Sequence, residues 1–133
     1  MFLLDTNACI RILNNSSRSV VRRLERHRPS EIRLSSVVKA ELLAGARKSR
    51  RVEANLALLA EFFAPFSSLP FDDLAAQHFG AIRNDLERAG TPIGAYDMMI
   101  AATARAYDLV LVTHNTRELS RVPGLQIADW EEG

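Results

Sequence analysis

The sequence holds 133 residues, enough for one core and too few for two ordinary ones, so residues 1–133 are expected to form a single domain. With 47% hydrophobic and 25% charged residues, six Gly and five Pro, the composition excludes a disordered, collagen-like or membrane-spanning chain. The formal charge of +1 names no partner, yet residues 1–66 carry 12 Lys and Arg against 6 Asp and Glu, while residues 67–133 carry 5 against 10.

The lone Cys9 excludes an internal disulfide and a cysteine-based zinc site, and inside Ala8-Cys9-Ile10 it reads as a small core residue. No basic region precedes Phe2-Leu3-Leu4, so no signal peptide is expected and the expected compartment is the cytoplasm.

Phe2-Leu3-Leu4 is a short continuous apolar run, the pattern of a strand buried on both faces, and it stops at Asp5-Thr6-Asn7. A helix with Ile10 and Leu13 inward follows, then a break at Asn14 to Ser17. A second helix starts near Ser19, with Val20, Val21 and Leu24 inward and a run of Arg and His between Arg22 and Arg28; Pro29 closes it. Ile32 and Leu34 predict a second strand leading into a helix from Ser36 to Lys48, capped by Ser35 or Ser36.

Val52, Leu56, Leu59 and Phe63 form one helical stripe ended by Pro65. Ser67 to Phe71 reads as a weak strand whose Pro70 suits only an edge or a strand end. Asp72-Asp73 then caps a long helix with Ala75, Phe79, Ile82 and Leu86 inward, stopped by Gly90. After a loop from Thr91 to Gly94, a helix runs from Tyr96 to Tyr107, and Leu109 to Thr113 is the clearest buried strand. A last short strand includes Gln126-Ile127-Ala128. Strands alternating with helices indicate right-handed crossovers and an α/β fold with a parallel, doubly wound sheet.

In such a sheet the ligand site lies beyond the carboxyl ends of the strands, where the strand order reverses. Asp5 stands at that end of the first strand and Thr113-His114-Asn115 at that end of the fourth. Asp5 fits a helix cap as well as a catalytic acid. Glu41 projects from a helical stripe of Val37, Val38, Ala44 and Gly45, so its charge requires a pair, a metal or a cleft rim. Asp97 opens a helix, where the helix dipole alone favours an acid.

Convergence raises the catalytic reading. All three acids face one crevice, and two carboxylates roughly 5 Å apart repel by about 3 kcal/mol at an effective dielectric near 20, so the group needs a cation or a shared proton. An all-oxygen acidic site suits Mg²⁺ or Mn²⁺, and the chemistry implied is metal-dependent phosphodiester hydrolysis. No Gly-rich phosphate loop, paired aspartate two residues after Asp5 or serine elbow offers a competing mechanism. His27, His78 and His114 fall on three different elements, and only His114 lies near the crevice.

Asp5-Thr6-Asn7 after a short strand, Ser35-Ser36-Val37 leading to Glu41-Leu42 and Gly45, Gly90-Thr91-Pro92-Ile93-Gly94-Ala95-Tyr96-Asp97, Leu111-Val112-Thr113-His114-Asn115 and Asp129-Trp130 occur in an order and spacing that resembles the PIN-domain toxins of the VapC type. The likeness spans essentially the whole chain. It implies an α/β/α sandwich with a central, mainly parallel sheet of four to five strands, and a Mg²⁺- or Mn²⁺-dependent endoribonuclease that forms a homodimer. It further implies a VapB-type antitoxin that blocks the enzyme, operator DNA bound only through that complex, and structured RNA as substrate, with a tRNA anticodon loop first and initiator tRNA within that class.

Carried over by position, Asp5, Glu41 and Asp97 match the family's metal-holding acids. The position where the family often has a further Asp is Asn115, which brings no charge, and Glu118 is placed to substitute. Thr6 and Thr113 bring hydroxyls to the same place, or serve local turn and cap bonds. Arg11, Lys39, Arg47, Lys48, Arg50 and Arg51 are candidate contacts for RNA phosphates, although the last four equally suit the C-terminal end of a helix. The Arg22 to Arg28 run faces an acidic antitoxin tail or water. Leu42, Leu43, Leu58 and Phe62 are candidates for a dimer interface or for the core. Two other readings stand beside the toxin: a catalytically silent PIN-like module that binds RNA or protein, favoured by Asn115, and a structure-specific DNA nuclease, whose duplex-gripping insertions are missing.

Overall fold

A computed structural model describes residues 1–131. Its centre is a five-stranded, fully parallel sheet in the order β3-β2-β1-β4-β5, made of β1 (Phe2–Leu4), β2 (Ile32–Ser35), β3 (Ser67–Leu69), β4 (Val110–Val112) and β5 (Ile127–Ala128). Seven α-helices connect them: α1 (Thr6–Asn14), α2 (Arg18–Glu25), α3 (Ser36–Arg47), α4 (Val52–Phe63), α5 (Asp73–Arg88), α6 (Ala95–Ala106) and α7 (Thr116–Leu119). A short 3₁₀ turn, Pro29–Glu31, leads into β2.

Successive strand residues point to opposite faces, so the complete burial of both Leu3 and Leu4 requires cover on each side of β1. Helices supply it, and the apolar run at the N-terminus becomes the central strand for that reason. Leu34, Leu111 and Val112 extend the same core, while β3, with Ser67 and Ser68 exposed, takes the edge where Pro70 can follow it.

The helix boundaries follow local chemistry. Ser35 and Asp72 accept the expected capping bonds from the N–H groups of Val38 and Ala75, at 3.1 and 3.0 Å. Asn15 ends α1 at φ +50°, and Gly90, at φ +70°, turns the chain after α5. Two expectations need correction. α1 buries Ala8 and Cys9 most deeply, where small residues let the helix approach the sheet closely; Leu13 packs against the core as expected, whereas Ile10 is exposed. The fourth strand is Val110–Val112, one residue shorter at each end than expected, although Leu109 and Thr113 are buried and the Thr113 N–H still donates to the Ala128 carbonyl at 3.0 Å.

From β1 the chain builds β2 and β3 on one side, then returns to place β4 and β5 on the other. The strand order therefore reverses between β1 and β4, and the crevice beyond their carboxyl ends is where the loops after Leu4 and Val112 diverge. No helix among the described residues is long and apolar enough to cross a membrane.

Candidate active site

The crevice is built around Asp5. Its N–H donates to the Val112 carbonyl at 3.0 Å, continuing the β1–β4 ladder one residue past the strand, and its Oδ1 accepts from the Ala8 N–H at 2.8 Å as the cap of α1. The Thr113 hydroxyl donates to the same carboxylate, having accepted the Asn115 N–H at 3.0 Å. Only 8% exposed, the carboxyl is pushed up to about 6, chiefly by burial, with the charges of Asp97 and Glu131 adding to the rise and the bonds from Ala8 and Thr113 opposing it.

Three further carboxylates approach from separate helices. Glu41, from the middle of α3, accepts the Thr6 hydroxyl at 2.6 Å. Asp97 stands in the first turn of α6, whose N-cap Gly94 has no side chain to satisfy the free N–H groups. Partial burial raises its pKa above the ordinary carboxylate value, and the neighbouring charges of Glu41 and Glu118 raise it further. Glu118, on α7, accepts from the Asn115 side-chain amide at 3.2 Å. Thus Asp5, Thr6, Glu41, Asp97, Thr113, Asn115 and Glu118 come together at the switch point from four segments, the β1–α1 junction, α3, α6 and the stretch from β4 into α7.

The C-terminal segment adds a rim that the sequence reading did not assign. Asp129 accepts from the Glu131 N–H at 2.9 Å and pairs with His114 Nδ1 at 2.9 Å, while Glu131 meets Arg11 at 3.5 Å and His114 at 3.9 Å. The bond with Asp129 holds the His114 imidazole above its ordinary value, with further support from the charge of Glu131. The only signal for this rim was the Asp129-Trp130 pair; it took β5 pairing beside β4 to bring it to His114.

The basic candidates divide. Arg11 sits on the rim through Glu131. Lys39 lies two residues before Glu41, about 200° around α3, and its ammonium stands 5.0 Å from the Phe63 ring of α4 instead. Arg47, Lys48, Arg50 and Arg51 lie at and beyond the end of α3, Arg47 roughly 9 Å along the helix from Glu41, and none pairs with a crevice carboxylate. Cys9 is fully buried with its thiol pushed up by that burial, as a core residue should be. His27 stacks on Trp130, and His78 accepts from Arg105, both away from the carboxylates. Of the interface candidates, Leu42 is buried, Phe62 is half-buried, and Leu43 and Leu58 are exposed.

Among the described residues none of Asp5, Glu41, Asp97 and Glu118 carries an ion pair, so four carboxylates share a crevice without a protein cation. No three Asp, Glu, His or Cys side chains among the described residues close on one ion position, since Thr6 draws Glu41 aside and Asn115 holds Glu118. An all-oxygen donor set of this kind fits a hard divalent ion that keeps most of its waters and takes one or two carboxylates directly.

Comparison with known proteins places these features. The family description for the PIN domain matches residues 2–125. The "tRNA(fMet)-specific endonuclease VapC" of Shigella flexneri is 44% identical over 129 residues, 97% of each chain. Among solved structures, DNA-bound VapBC from Salmonella typhimurium superimposes with a TM-score of 0.91 at 43% identity over 97% of both chains. VapBC2 from Rickettsia felis, bound to a promoter DNA fragment, gives 0.89 at 33% identity over 97% and 98%.

Proposed function

This chain belongs to the PIN-domain family, and on that premise we propose that it is an endoribonuclease toxin that hydrolyses phosphodiester bonds in tRNA and that a VapB-type antitoxin holds inactive. The observation that carries the reading is the meeting of Asp5, Glu41, Asp97 and Glu118, from four separate elements, at the switch point without a compensating cation among the described residues. A silent binding module has no use for that electrostatic cost. Operator DNA is bound through the toxin–antitoxin complex, in keeping with the two DNA-bound relatives, and the toxin itself works as a homodimer, as the likeness to VapC toxins implies.

Asp5, Glu41 and Asp97 are the residues that would hold Mg²⁺ or Mn²⁺. When bound, the ion supplies Lewis acidity and neutralises charge on the scissile phosphate. The chain's own residues set the conditions. The Ala8 N–H and the Thr113 hydroxyl fix Asp5 and favour its ionised form against burial, and the Thr6 hydroxyl orients Glu41. Asn115, neutral where a further acid is common, keeps Glu118 close to Asp97 by a hydrogen bond donated from its side-chain amide. Arg11 lies at the edge to meet phosphate, with Glu131 as its resting partner. Initiator tRNA is the substrate we assign, from the activity named for the Shigella relative, with its anticodon loop as the cut site that the likeness to VapC toxins implies.

The test is incubation of purified, antitoxin-free protein with initiator and elongator tRNAs, with Mg²⁺, Mn²⁺ or a chelator. Metal-dependent scission in the initiator anticodon loop is expected, with Asp97→Asn inactive; intact tRNA under every condition would overturn the proposal. Mn²⁺ should also raise Tm more at pH 7.5 than at pH 5, because protons compete for Asp5 below about 6.

A further inference from the structure

We propose that the outer face of α2 is a second contact surface for the RNA, gripping backbone phosphates outside the segment that is cut; the inference rests on the ribonuclease reading above. Arg18, Arg22 and Arg26 recur at i, i+4 and i+8, one row with steps of about 6 Å along the axis, a spacing commensurate with successive phosphates of an RNA strand. The opposite face is anchored by Val20, 1% exposed, and Leu24. With Ser19 and Arg23 the row encloses a cleft of about 290 Å³.

The row is costly without a partner. Like charges at i, i+4 repel, and among the described residues Arg18, Arg22 and Arg26 have no carboxylate within ion-pair distance. The nearby Glu31 is already taken by His27 and the Arg28 N–H. The helix dipole accounts for cations at the C-terminal end of α2, but Arg18 is the first residue of the helix, where the dipole disfavours a cation. A guanidinium row offers planar donor pairs to phosphate oxygens, which suits a nucleic-acid backbone.

Its position suits a substrate that also enters the crevice. The Ser19 hydroxyl donates to the Trp130 carbonyl at 2.5 Å, and the Trp130 ring stacks on His27 at 5.4 Å. The next residue, Glu131, is the rim acid that pairs with Arg11 and bears on Asp5. One strip of chain therefore separates the arginine row from the carboxylates. A folded tRNA extends well beyond the loop held in the crevice, so its neighbouring phosphates can reach this row.

The test is the triple substitution Arg18→Gln, Arg22→Gln and Arg26→Gln, all at exposed positions where Gln preserves helix propensity, with Tm confirming the fold. For full-length tRNA, KM should rise about tenfold with kcat within about twofold, and the slope of log affinity against log salt should flatten by about 2. Cleavage of an isolated anticodon stem-loop should be unchanged. An equal KM rise on the stem-loop would overturn the proposal, as would an unchanged KM with weakened antitoxin binding, which would assign the row to an acidic protein segment. Equilibrium tRNA binding by Asp97→Asn protein, with and without the triple substitution, reads the surface independently of cleavage, so failure of the ribonuclease reading remains distinguishable.

Discussion

Asp5 and Asp72 perform the same local task at opposite regions of the molecule. Each follows a strand and caps the next helix, Asp5 through the Ala8 N–H at 2.8 Å and Asp72 through the Ala75 N–H at 3.0 Å. Their acidities move in opposite directions. The Tyr107 hydroxyl, donating to Asp72, holds that carboxyl below the usual range, whereas burial pushes Asp5 up to about 6. The difference comes from sheet order: β3 is an edge strand, so Asp72 opens towards solvent and one phenol, while β1 is central, so Asp5 opens onto the crevice shared by Asp97 and Glu131. A cap is local chemistry; a candidate catalytic acid is a cap placed where the topology brings other charges.

The sharpest way to break this comparison is Asp5→Asn, which keeps a competent cap and removes only the charge. A folded-state value of about 6 against an ordinary 3.8 means that the stabilising effect of the neutral carboxyl is complete below 3.8 and lost as the pH rises through 6. At pH 7.5 the ionised group costs on the order of 3 kcal/mol. Asp5→Asn should therefore lower tRNA cleavage by about 10³-fold or more, raise the metal-free Tm at pH 7.5, and converge on wild type towards pH 4. Wild-type cleavage, or a lower Tm at pH 7.5, would remove Asp5 from its assigned role.

A smaller effect is expected from Thr113→Val, which deletes the hydroxyl that stabilises the Asp5 carboxylate. The acid limb of the pH–rate profile should move to higher pH, with about a tenfold loss of cleavage below pH 7 and a slighter loss above it. A uniform loss at all pH values would mean that Thr113 acts through the backbone of Asn115 alone. The smallest effect belongs to the other cap: Asp72→Ala should lower Tm by a few degrees and leave tRNA cleavage unchanged. Since ionised Asp72 is the stabilising form, the Tm difference should shrink as the pH falls through the acid range.

Much of this frame was legible in the residues. Phe2-Leu3-Leu4 and the run around Leu111 announced the two central strands, Asp72 and Ser35 announced caps, and Gly90 announced a helix end, because each is a local or short-period signal. The gathering of Asp5, Glu41 and Asp97 at one crevice followed from assuming parallel strands and their switch point. Less legible was anything decided by packing between distant segments. α1 turns Ala8 and Cys9 inward and leaves the more hydrophobic Ile10 exposed, with Leu13 packed against the core. The rim of Asp129, Glu131, His114 and Arg11 depends on β5, two residues long, whose pairing positions side chains more than a hundred residues apart. The separation of Lys39 from Glu41 depends on α4 offering Phe63.

The main-chain bond from Asp5 to Val112 joins segments far apart along the chain. The neighbour β4 follows β1 by more than a hundred residues of chain, and the rim that flanks Asp5 comes later still, at Asp129 to Glu131. Until β4 docks, the first strand lacks one of its two pairing partners and the carboxylates stay apart. The crevice is therefore complete only once these distant segments have packed, so contacts of long sequence separation set the moment at which the carboxylates meet.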